Sequence, residues 1–434
     1  MKPFLPILAL IYLLFFIPLN NITAQALEIR LEKAVDLALE SNLGLRQNQI
    51  DLAASGYSER RLWSEIFPTI SATASAGFSD NLFSDNAAVR TSHSVGFGLN
   101  LGLNAGIPHV MRNIRLAHQA NILRYEDARN QLAIHATRRF YSLIAEKNNL
   151  LVLEEALNLA QRQYQRNHVS FNNGLIRELT LIQSRLAYAN ARYALSIANT
   201  IYTNSVKEFL AILGLAADTE IALSGEINIV RIEADAEELI MQHLTRRPDI
   251  TRARQEIERL ENTERQITMQ NRAPSLGLTM NWSSSSFDPF ADTISGNANL
   301  SIPIDPWIPG TSRNQNVRRA GDSVEHARLN LQTAEQNAKT QIRSLTALLR
   351  NFWENITISR LNLEVSQLNY QLTEDAFRNG TVEFLVLEDA RNNMANAQQR
   401  LLQAELTYFN MILDLSSAIN MDWKKLKQTY GVIN

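Results

Sequence analysis

Two stretches of the chain are almost free of the residues that end helices, and they constrain the fold more than any other feature. They run from Ile107 to Leu213 and from Gly321 to Lys427. Of the 11 prolines in the chain, only Pro108 lies inside them, and the only glycines in their interiors are Gly174 and Gly380. Because proline and glycine destabilise helix interiors, each stretch is predicted to be two long helices joined by a single break.

The two stretches also share a heptad register. Apolar or aromatic residues recur every seven positions before the first break, and the same spacing returns 206 positions later. The two series are Leu143, Leu150, Leu157, Tyr164 and Phe171, and Leu349, Ile356, Leu363, Tyr370 and Phe377. Heptad spacing is typical of helices packed along a coiled-coil seam. Both stretches therefore predict coiled-coil hairpins, with an ordinary bundle of shorter helices as the alternative.

The N-terminus has the pattern of a targeting signal. One lysine precedes an apolar run, Phe4 to Leu19, which is short for a membrane span and contains two prolines. Small residues then allow cleavage after Ala24 or after Ala26. We therefore predict a signal peptide over residues 1–24 and an exported chain over residues 25–434.

Composition argues against several classes of function. The chain has no cysteine, so disulfides, thiolate metal sites and thiol nucleophiles are excluded. A net charge of −2, with both signs interspersed, gives no basis for binding nucleic acid. The seven histidines are scattered without metal-ligand spacing, and no carboxylate pair stands in a recognisable acid–base setting. We expect no enzyme, no metal and no cofactor.

The hydrophobic period changes from 3.6 to 2 after the first helical pattern. That pattern runs from Leu31 to Glu65 and ends before Pro68, and residues 70–78 then alternate. The next strand alternates apolar residues with glycine and asparagine, including Asn100 and Asn104. Its apolar residues are Val95, Phe97, Leu99, Leu101 and Leu103. This alternation is typical of a barrel strand with lipid on one side and water on the other.

The second half of the chain repeats this order. A proline again precedes two alternating segments, 276–282 and 297–304. Their polar side carries Asn281, Asn297 and Asn299. Each half therefore predicts helix, strand, loop, strand, long helix, tip and long helix, which indicates an internal duplication with repeats at about 27–226 and 227–423.

The strand count bears on assembly. About four strands of ~10 residues are long enough to cross a bilayer when tilted, but they are too few to close a barrel. An open sheet edge in lipid would leave backbone groups unpaired, at several kcal/mol each. Membrane strands would therefore require several copies to share one wall. Counting alone allows a dimer with about eight strands or a trimer with about twelve.

With its duplication, two strand pairs and a glycine at each tip, the chain resembles the TolC-type outer membrane efflux proteins. These proteins are the exit ducts of efflux pumps and type I secretion systems, and the resemblance covers essentially all of the mature chain. It implies an α+β membrane protein, a homotrimeric 12-stranded β-barrel with four strands per chain, continued by a long α-helical coiled-coil barrel. It also implies an equatorial belt from residues of about 214–235 and 420–434.

The resemblance implies that both helical tips dock on a periplasmic adaptor. The residues that match the family's tip motif are Asn173, Gly174, Leu175, Asn379, Gly380 and Thr381. The match holds at the glycine and at the residue after it, whereas asparagine replaces the valine often found before it. Asn-Gly also readily adopts positive φ between helices, so the alternative is that these residues form turns and nothing more.

The family closes its periplasmic entrance beyond the tips with side-chain links and a ring of acidic residues. Asp389 matches a family aspartate, Phe377 occupies a tyrosine position, and other family aspartates are replaced here. The gate candidates are Glu178, Phe377, Glu383, Glu388 and Asp389. An acidic ring would favour cations, and a solvated helix face is the alternative reading of any single glutamate.

The function implied by the resemblance is a passive conduit in the outer membrane. It would be opened at its periplasmic tips by the adaptor and an inner-membrane transporter, with outer membrane lipid around the barrel. The alternative is a periplasmic coiled-coil scaffold or adhesin without a pore. The sequence leaves the cargo open among drugs, proteins and metal ions.

Overall fold

The computed structural model describes residues 27–79, 90–285 and 292–432. The predicted signal peptide, residues 1–24, lies outside this part of the chain. The same is true of the middle of each predicted loop between strands and of the last two residues.

The chain alternates short and long elements. The strands are β1 (Leu27–Ile29), β2 (Thr69–Ser79), β3 (Arg90–Asn104), β4 (Ile221–Leu223), β5 (Arg231–Ile232), β6 (Ser275–Ser285), β7 (Asp292–Ser301) and β8 (Gly431–Val432). The helices are α1 (Leu31–Ser41), α2 (Leu43–Arg60), α3 (Ile107–Asn172), α4 (Glu178–Ile212), α5 (Ala236–His243), α6 (Pro248–Arg272), α7 (Ser312–Arg378), α8 (Phe384–Ala418) and α9 (Trp423–Tyr430). Within the described residues, no helix combines the length and hydrophobicity needed to cross a membrane.

The first of two compact units comprises residues 27–42 and 139–227. In it β1 pairs in parallel with β4, and the later part of α3 packs with α4. Phe140 and Phe209 are buried with ring centroids 6.4 Å apart. Farther along the hairpin, Tyr164 stacks on Tyr188 at 6.0 Å. The predicted seam residue Tyr164 therefore does pack between the two helices of this hairpin.

The second unit comprises residues 43–138 and 228–432. It contains a four-stranded antiparallel sheet with the strand order β2-β3-β6-β7. The central pair, β3 with β6, joins a strand from each half of the chain. The sheet thus unites the two predicted repeats through their backbones.

Helices α7 and α8 form the second hairpin and the main core of this unit. At about 1.5 Å per residue, the 67 residues of α7 extend roughly 100 Å. The predicted seam residues Leu349 and Ile356 are 2% and 0% exposed, which confirms the heptad prediction here. Tyr408 of α8 is fully buried; its hydroxyl accepts from Ile232 N at 2.9 Å. That bond ties β5, which pairs with β8, to the hairpin.

The predicted start of the second helical stretch was wrong. Helix α7 begins at Ser312 rather than at Gly321. Thr311 caps it, since its hydroxyl accepts from Asn314 N at 3.4 Å. Gly321 therefore lies within the helix, where one glycine costs only about 1 kcal/mol relative to alanine and packing offsets that cost.

The predicted end of this stretch was also wrong. Helix α8 ends at Ala418, and Lys427 belongs to the separate helix α9. Asn420 adopts a φ of +51° at the break, and the Asp422 side chain caps α9 by accepting from Lys424 N at 2.8 Å. An asparagine with positive φ followed by an aspartate cap ends one helix and begins another without glycine or proline.

The last membrane-type strand is displaced from its predicted position. Strand β7 covers Asp292–Ser301 rather than 297–304. Pro303 has no backbone N–H and cannot extend the ladder, so the alternation at Ile302 and Ile304 continues beyond the strand.

Candidate channel wall and helical tips

The four-stranded sheet has one continuous apolar face. Residues paired directly across an antiparallel ladder project on the same side. Leu99 is opposite Ile70 and Met280, and Phe97 stacks on Trp282 with ring centroids 5.7 Å apart. The same face carries Val95, Leu101, Leu103, Leu276, Leu278, Ile294 and Leu300. All five apolar residues predicted on β3 therefore share one face with the apolar residues of its neighbours.

The opposite face carries hydroxyl, amide and glycine residues. Asn100 is opposite Thr69 and Thr279, and the Ser75 and Ser94 hydroxyls are 2.7 Å apart. The five asparagines predicted on the polar side all lie here, namely Asn100, Asn104, Asn281, Asn297 and Asn299. This polar face is compatible with contact with water, and the apolar face is compatible with contact with lipid hydrocarbon.

Strands β2 and β7 are the two edges of this sheet. They contain 11 and 10 residues, and within the described part of the chain their outer backbone groups have no strand partner. Since all three ladders are antiparallel, β2 and β7 run in opposite directions. The β7 edge of one copy can therefore pair with the β2 edge of another to continue an antiparallel sheet.

The two helical tips have the same backbone design. Gly174 and Gly380 have φ of +72° and +71°. In the first tip, Leu175 N donates to Ser170 O at 2.9 Å and Gly174 N donates to Phe171 O at 2.9 Å. The second tip repeats both bonds at 3.0 Å. This pair of bonds is the Schellman motif, which requires a left-handed residue that glycine supplies without strain.

The adaptor-docking candidates are accessible at both tips. Asn173, Gly174 and Leu175 are exposed, with Leu175 at 74%. Their counterparts in the second tip, Asn379, Gly380 and Thr381, are exposed as well. The structure thus presents each set of three on the turn itself, where a partner can reach it.

The gate candidates occupy different environments. Glu178 is the first residue of α4 and Glu383 precedes α8, and both are exposed. Asp389 is exposed on α8, whereas Phe377 contacts Phe384 edge-on at 6.1 Å. Phe377 therefore packs inside its own hairpin.

Glu388 forms an ion pair with a residue three positions further along α8, which we did not predict. Its carboxylate accepts from the guanidinium of Arg391, and both side chains are largely buried. Burial raises the pKa of Glu388 above 4.5, and Arg391 opposes this shift. Of the three candidates on α8 and its cap, Glu388 is thus the one whose charge is locally compensated.

Two long apolar stripes are exposed on the hairpins. On α7 the exposed residues recur at intervals of three and four and are between 57% and 62% exposed. They are Ile358, Leu361, Val365, Leu368 and Leu372. A similar stripe on α4 consists of Leu179, Ile182, Leu186, Tyr193, Ile197 and Ile201. Heptad spacing on an exposed face is typical of a surface that packs against another helix.

A polar groove between α7 and α8 was not predicted. Its volume is about 300 Å³. It is lined by Ser359, Asn362, Val365, Ser366, Asn369, Asn393, Asn396, Ala397 and Arg400. The seven-residue spacing of Asn362 and Asn369 was visible in the sequence, but asparagine at helical spacing usually indicates a solvated surface rather than a groove.

Metal binding finds no support in the described residues. Across residues 27–79, 90–285 and 292–432, no three histidine, aspartate or glutamate side chains are grouped so that they could hold an ion. The features that stand out are instead a two-faced sheet with free edges, long coiled-coil hairpins and two matching tips. Together they define the class: a membrane channel subunit that shares its wall with other copies.

Comparison with known proteins finds similarity to outer membrane efflux proteins. The model of the outer membrane efflux protein family matches residues 239–420. The "Probable efflux pump outer membrane protein TtgC" of Pseudomonas putida is 25% identical over 416 residues, covering 91% of this chain and 83% of TtgC. The "Antibiotic efflux pump outer membrane protein ArpC" of Pseudomonas putida has the same identity and coverage. These matches support the predicted resemblance to the outer membrane efflux proteins.

Solved structures agree on the fold. The CmeC outer membrane channel of Campylobacter jejuni has a TM-score of 0.74 at 18% identity, covering 92% of this chain and 88% of CmeC. The open state of the MtrE outer membrane channel of Neisseria gonorrhoeae has a TM-score of 0.68 at 18% identity, covering 91% and 89%. The predicted fold class, strands combined with long helical hairpins, is confirmed.

Proposed function

We propose that this chain is the outer membrane exit duct of a tripartite efflux pump or type I secretion system, working as a homotrimer. One observation carries the proposal. The sheet has an apolar face and a polar face and ends in two free edges of opposite direction. A sheet of this kind is stable in a bilayer only when its edges are paired.

Three copies joined β7 to β2 give an antiparallel barrel with about twelve strands. Leu99 and the other apolar residues of its face then contact lipid, and Asn100 and the other polar residues line water. The number three follows from the resemblance to the TolC-type efflux proteins, not from the strand count. A closed ring leaves no edge strand exposed to hydrocarbon.

The helical hairpins continue the wall of the duct into the periplasm. The exposed stripe on α7, around Leu361 and Leu368, packs against a helix of a neighbouring copy, and the stripe on α4 does the same. Burying side chains of this size stabilises the assembly by about 1.5–3 kcal/mol each. The resemblance implies an equatorial belt from residues 214–235 and 420–434, and repeats at about 27–226 and 227–423.

The tips are the docking sites for a periplasmic adaptor. Their Schellman turns expose Asn173–Leu175 and Asn379–Thr381 without side-chain strain, so the six residues are preorganised for a partner. Glu178 contributes negative charge near the first tip, and Glu383 and Asp389 contribute it near the second, while Phe377 and Glu388 act through packing and an internal ion pair.

The duct itself is passive and is not an enzyme. An inner-membrane transporter supplies the energy, and the adaptor opens the tips by binding the open arrangement more tightly than the closed one. No cofactor or nucleic acid takes part.

Reconstitution tests this proposal. The protein purified from outer membranes should run as a trimer in detergent and conduct ions across a planar bilayer in discrete steps. Recovery only from the soluble periplasm, as a non-conducting protein, would instead establish the scaffold or adhesin alternative.

A further inference from the structure

The groove between α7 and α8 brings together neutral hydrogen-bonding groups and one cation. Its polar side chains include Asn362, Ser366 and Asn369 of α7 and Asn393, Asn396 and Arg400 of α8. Each carboxamide offers both a donor and an acceptor, and the guanidinium offers five donors. No carboxylate contributes to the lining.

These groups are free to bind a ligand. Among the residues that the structure describes, none forms a hydrogen bond or an ion pair with Arg400 or with the four carboxamides of the groove. Other arginines of the same hairpin are already engaged: Arg360 pairs with Glu405 at 3.0 Å, and Arg391 pairs with Glu388. Arg400 is therefore the unneutralised positive charge of this groove.

The groove lies on the side of the α7–α8 hairpin that faces away from β5, the strand paired with β8. Trp353 of α7 contacts Tyr408 at 5.4 Å and packs into the core that includes Ile232 of β5. Asn362 follows Trp353 by nine residues, which is two and a half helical turns, so the two side chains leave opposite faces of α7. In the proposed duct the equatorial belt, which includes β5 and β8, lies outside the helices. The groove is on the opposite side of the hairpin and therefore faces the conduit.

We propose that this groove is a cargo subsite for polar solutes that carry a carboxylate. Arg400 would bind the carboxylate by charge-assisted hydrogen bonds, and the carboxamides would bind neighbouring hydroxyl or amide groups. The volume of about 300 Å³ accommodates a small solute. The inference rests on the proposed function, because only a conduit presents this face to cargo.

The same chemistry disfavours cationic solutes at this position. A cation would find Arg400 and no carboxylate to offset it, so it would be repelled. The groove thus differs in sign from the acidic residues near the tips. Binding at one such wall site must be weak enough to release the solute, as in any conducting pore.

Single-channel recording with two matched probes tests the proposal. Gluconate and sorbitol share a polyol chain, but only gluconate carries a carboxylate. Gluconate should cause brief current interruptions in the wild-type channel, and sorbitol should not. Arg400→Gln should weaken the gluconate effect about tenfold through loss of a charge-assisted bond, and Arg400→Lys should retain part of it. Asn396→Ala should weaken it by a smaller factor, about threefold.

Lys425→Gln is the matched control. It removes one positive charge from the exposed surface of α9, away from the groove, and should leave gluconate block unchanged. If wild-type channels conduct normally but gluconate acts no differently from sorbitol, the subsite is disproved while the duct stands. The same holds if gluconate blocks the Arg400→Gln channel as strongly as the wild-type channel. A protein that stays monomeric in detergent and conducts no ions would overturn both.

Discussion

Gly174 and Gly380 stand 206 positions apart in the chain and adopt the same left-handed backbone, with φ of +72° and +71°. Each is followed by a residue whose N–H closes the helix by bonding five residues back. The internal duplication therefore extends to the hydrogen bonds of the turns. The two turns therefore require the same backbone conformation.

Replacing either tip glycine should loosen its turn. Gly380→Ala places a Cβ in open space, but the left-handed conformation costs an alanine about 1–2 kcal/mol. Amide exchange at Thr381 should accelerate roughly tenfold, and adaptor cross-linking should weaken. Gly296→Ala, which also meets open space but has no positive φ, should change neither. Equal effects of the two substitutions would contradict the assigned role of φ.

Charges placed on the two faces of β3 should have different effects. Leu99→Asp puts a carboxylate on the proposed lipid face and should reduce the trimer recovered from membranes, since a charge on that face is destabilising, although an acidic residue costs less than the ~2–4 kcal/mol of a lysine or arginine at the bilayer midplane. Asn100→Asp should leave assembly intact and increase cation selectivity. Trimer yield and reversal potential in a salt gradient measure the two effects. Identical behaviour of both variants would contradict the assignment of Leu99 to the lipid face and Asn100 to the water face.

The exposed stripe on α7 should be an interface between copies. Leu361→Asn together with Leu368→Asn removes two apolar contacts and should shift detergent-purified protein from trimer to monomer, at a cost of about 1.5–3 kcal/mol each. Light scattering coupled to size exclusion measures the shift. Gln367→Asn, on a different face of the same helix, is the control. A double variant that stays trimeric with unchanged thermal stability would show that the stripe is not buried.

Glu388 should make the second hairpin sensitive to pH. Burial raises its pKa above 4.5, so the folded state binds its proton more tightly than the unfolded state does. The hairpin should therefore lose stability as pH rises from about 4.5 through the raised pKa. Arg391→Gln removes the group that opposes the shift. It should raise the pKa of Glu388 further and widen the pH range over which the hairpin loses stability.

Amide exchange along α8, followed as a function of pH, measures this effect. Glu388→Gln should abolish the pH dependence in this window. A carboxyl pKa in Arg391→Gln below that in wild type would contradict the account of the ion pair.

Sequence reasoning succeeded where a pattern had one physical cause. The alternation from Val95 to Leu103 has period 2 because successive strand residues face opposite sides, and the register confirms the shared face. The Asn-Gly tips were identifiable because few other pairs adopt positive φ so readily. Leu349 and Ile356 followed from heptad spacing alone.

Sequence reasoning failed where side-chain caps decided the outcome. Thr311 and Asp422 set helix starts through single hydrogen bonds, and many other threonines and aspartates in the chain do not. Glu388 and Arg391 are three residues apart on α8, so their spacing allows an ion pair, but the burial of that pair and the groove at Arg400 depend on which faces α7 and α8 turn toward each other. No spacing within one helix reveals that rotation.

The central claim, that β2 and β7 of different copies close one barrel, can be tested by cross-linking. Because the chain has no cysteine, introduced thiols react without background. Thr73→Cys on β2 is combined in turn with Thr293→Cys, Ser295→Cys, Asn297→Cys or Asn299→Cys on β7, and the membranes are oxidised. The account predicts that one register gives a covalent ladder ending at three chains under denaturing conditions. A product that remains a single chain at every register would contradict it.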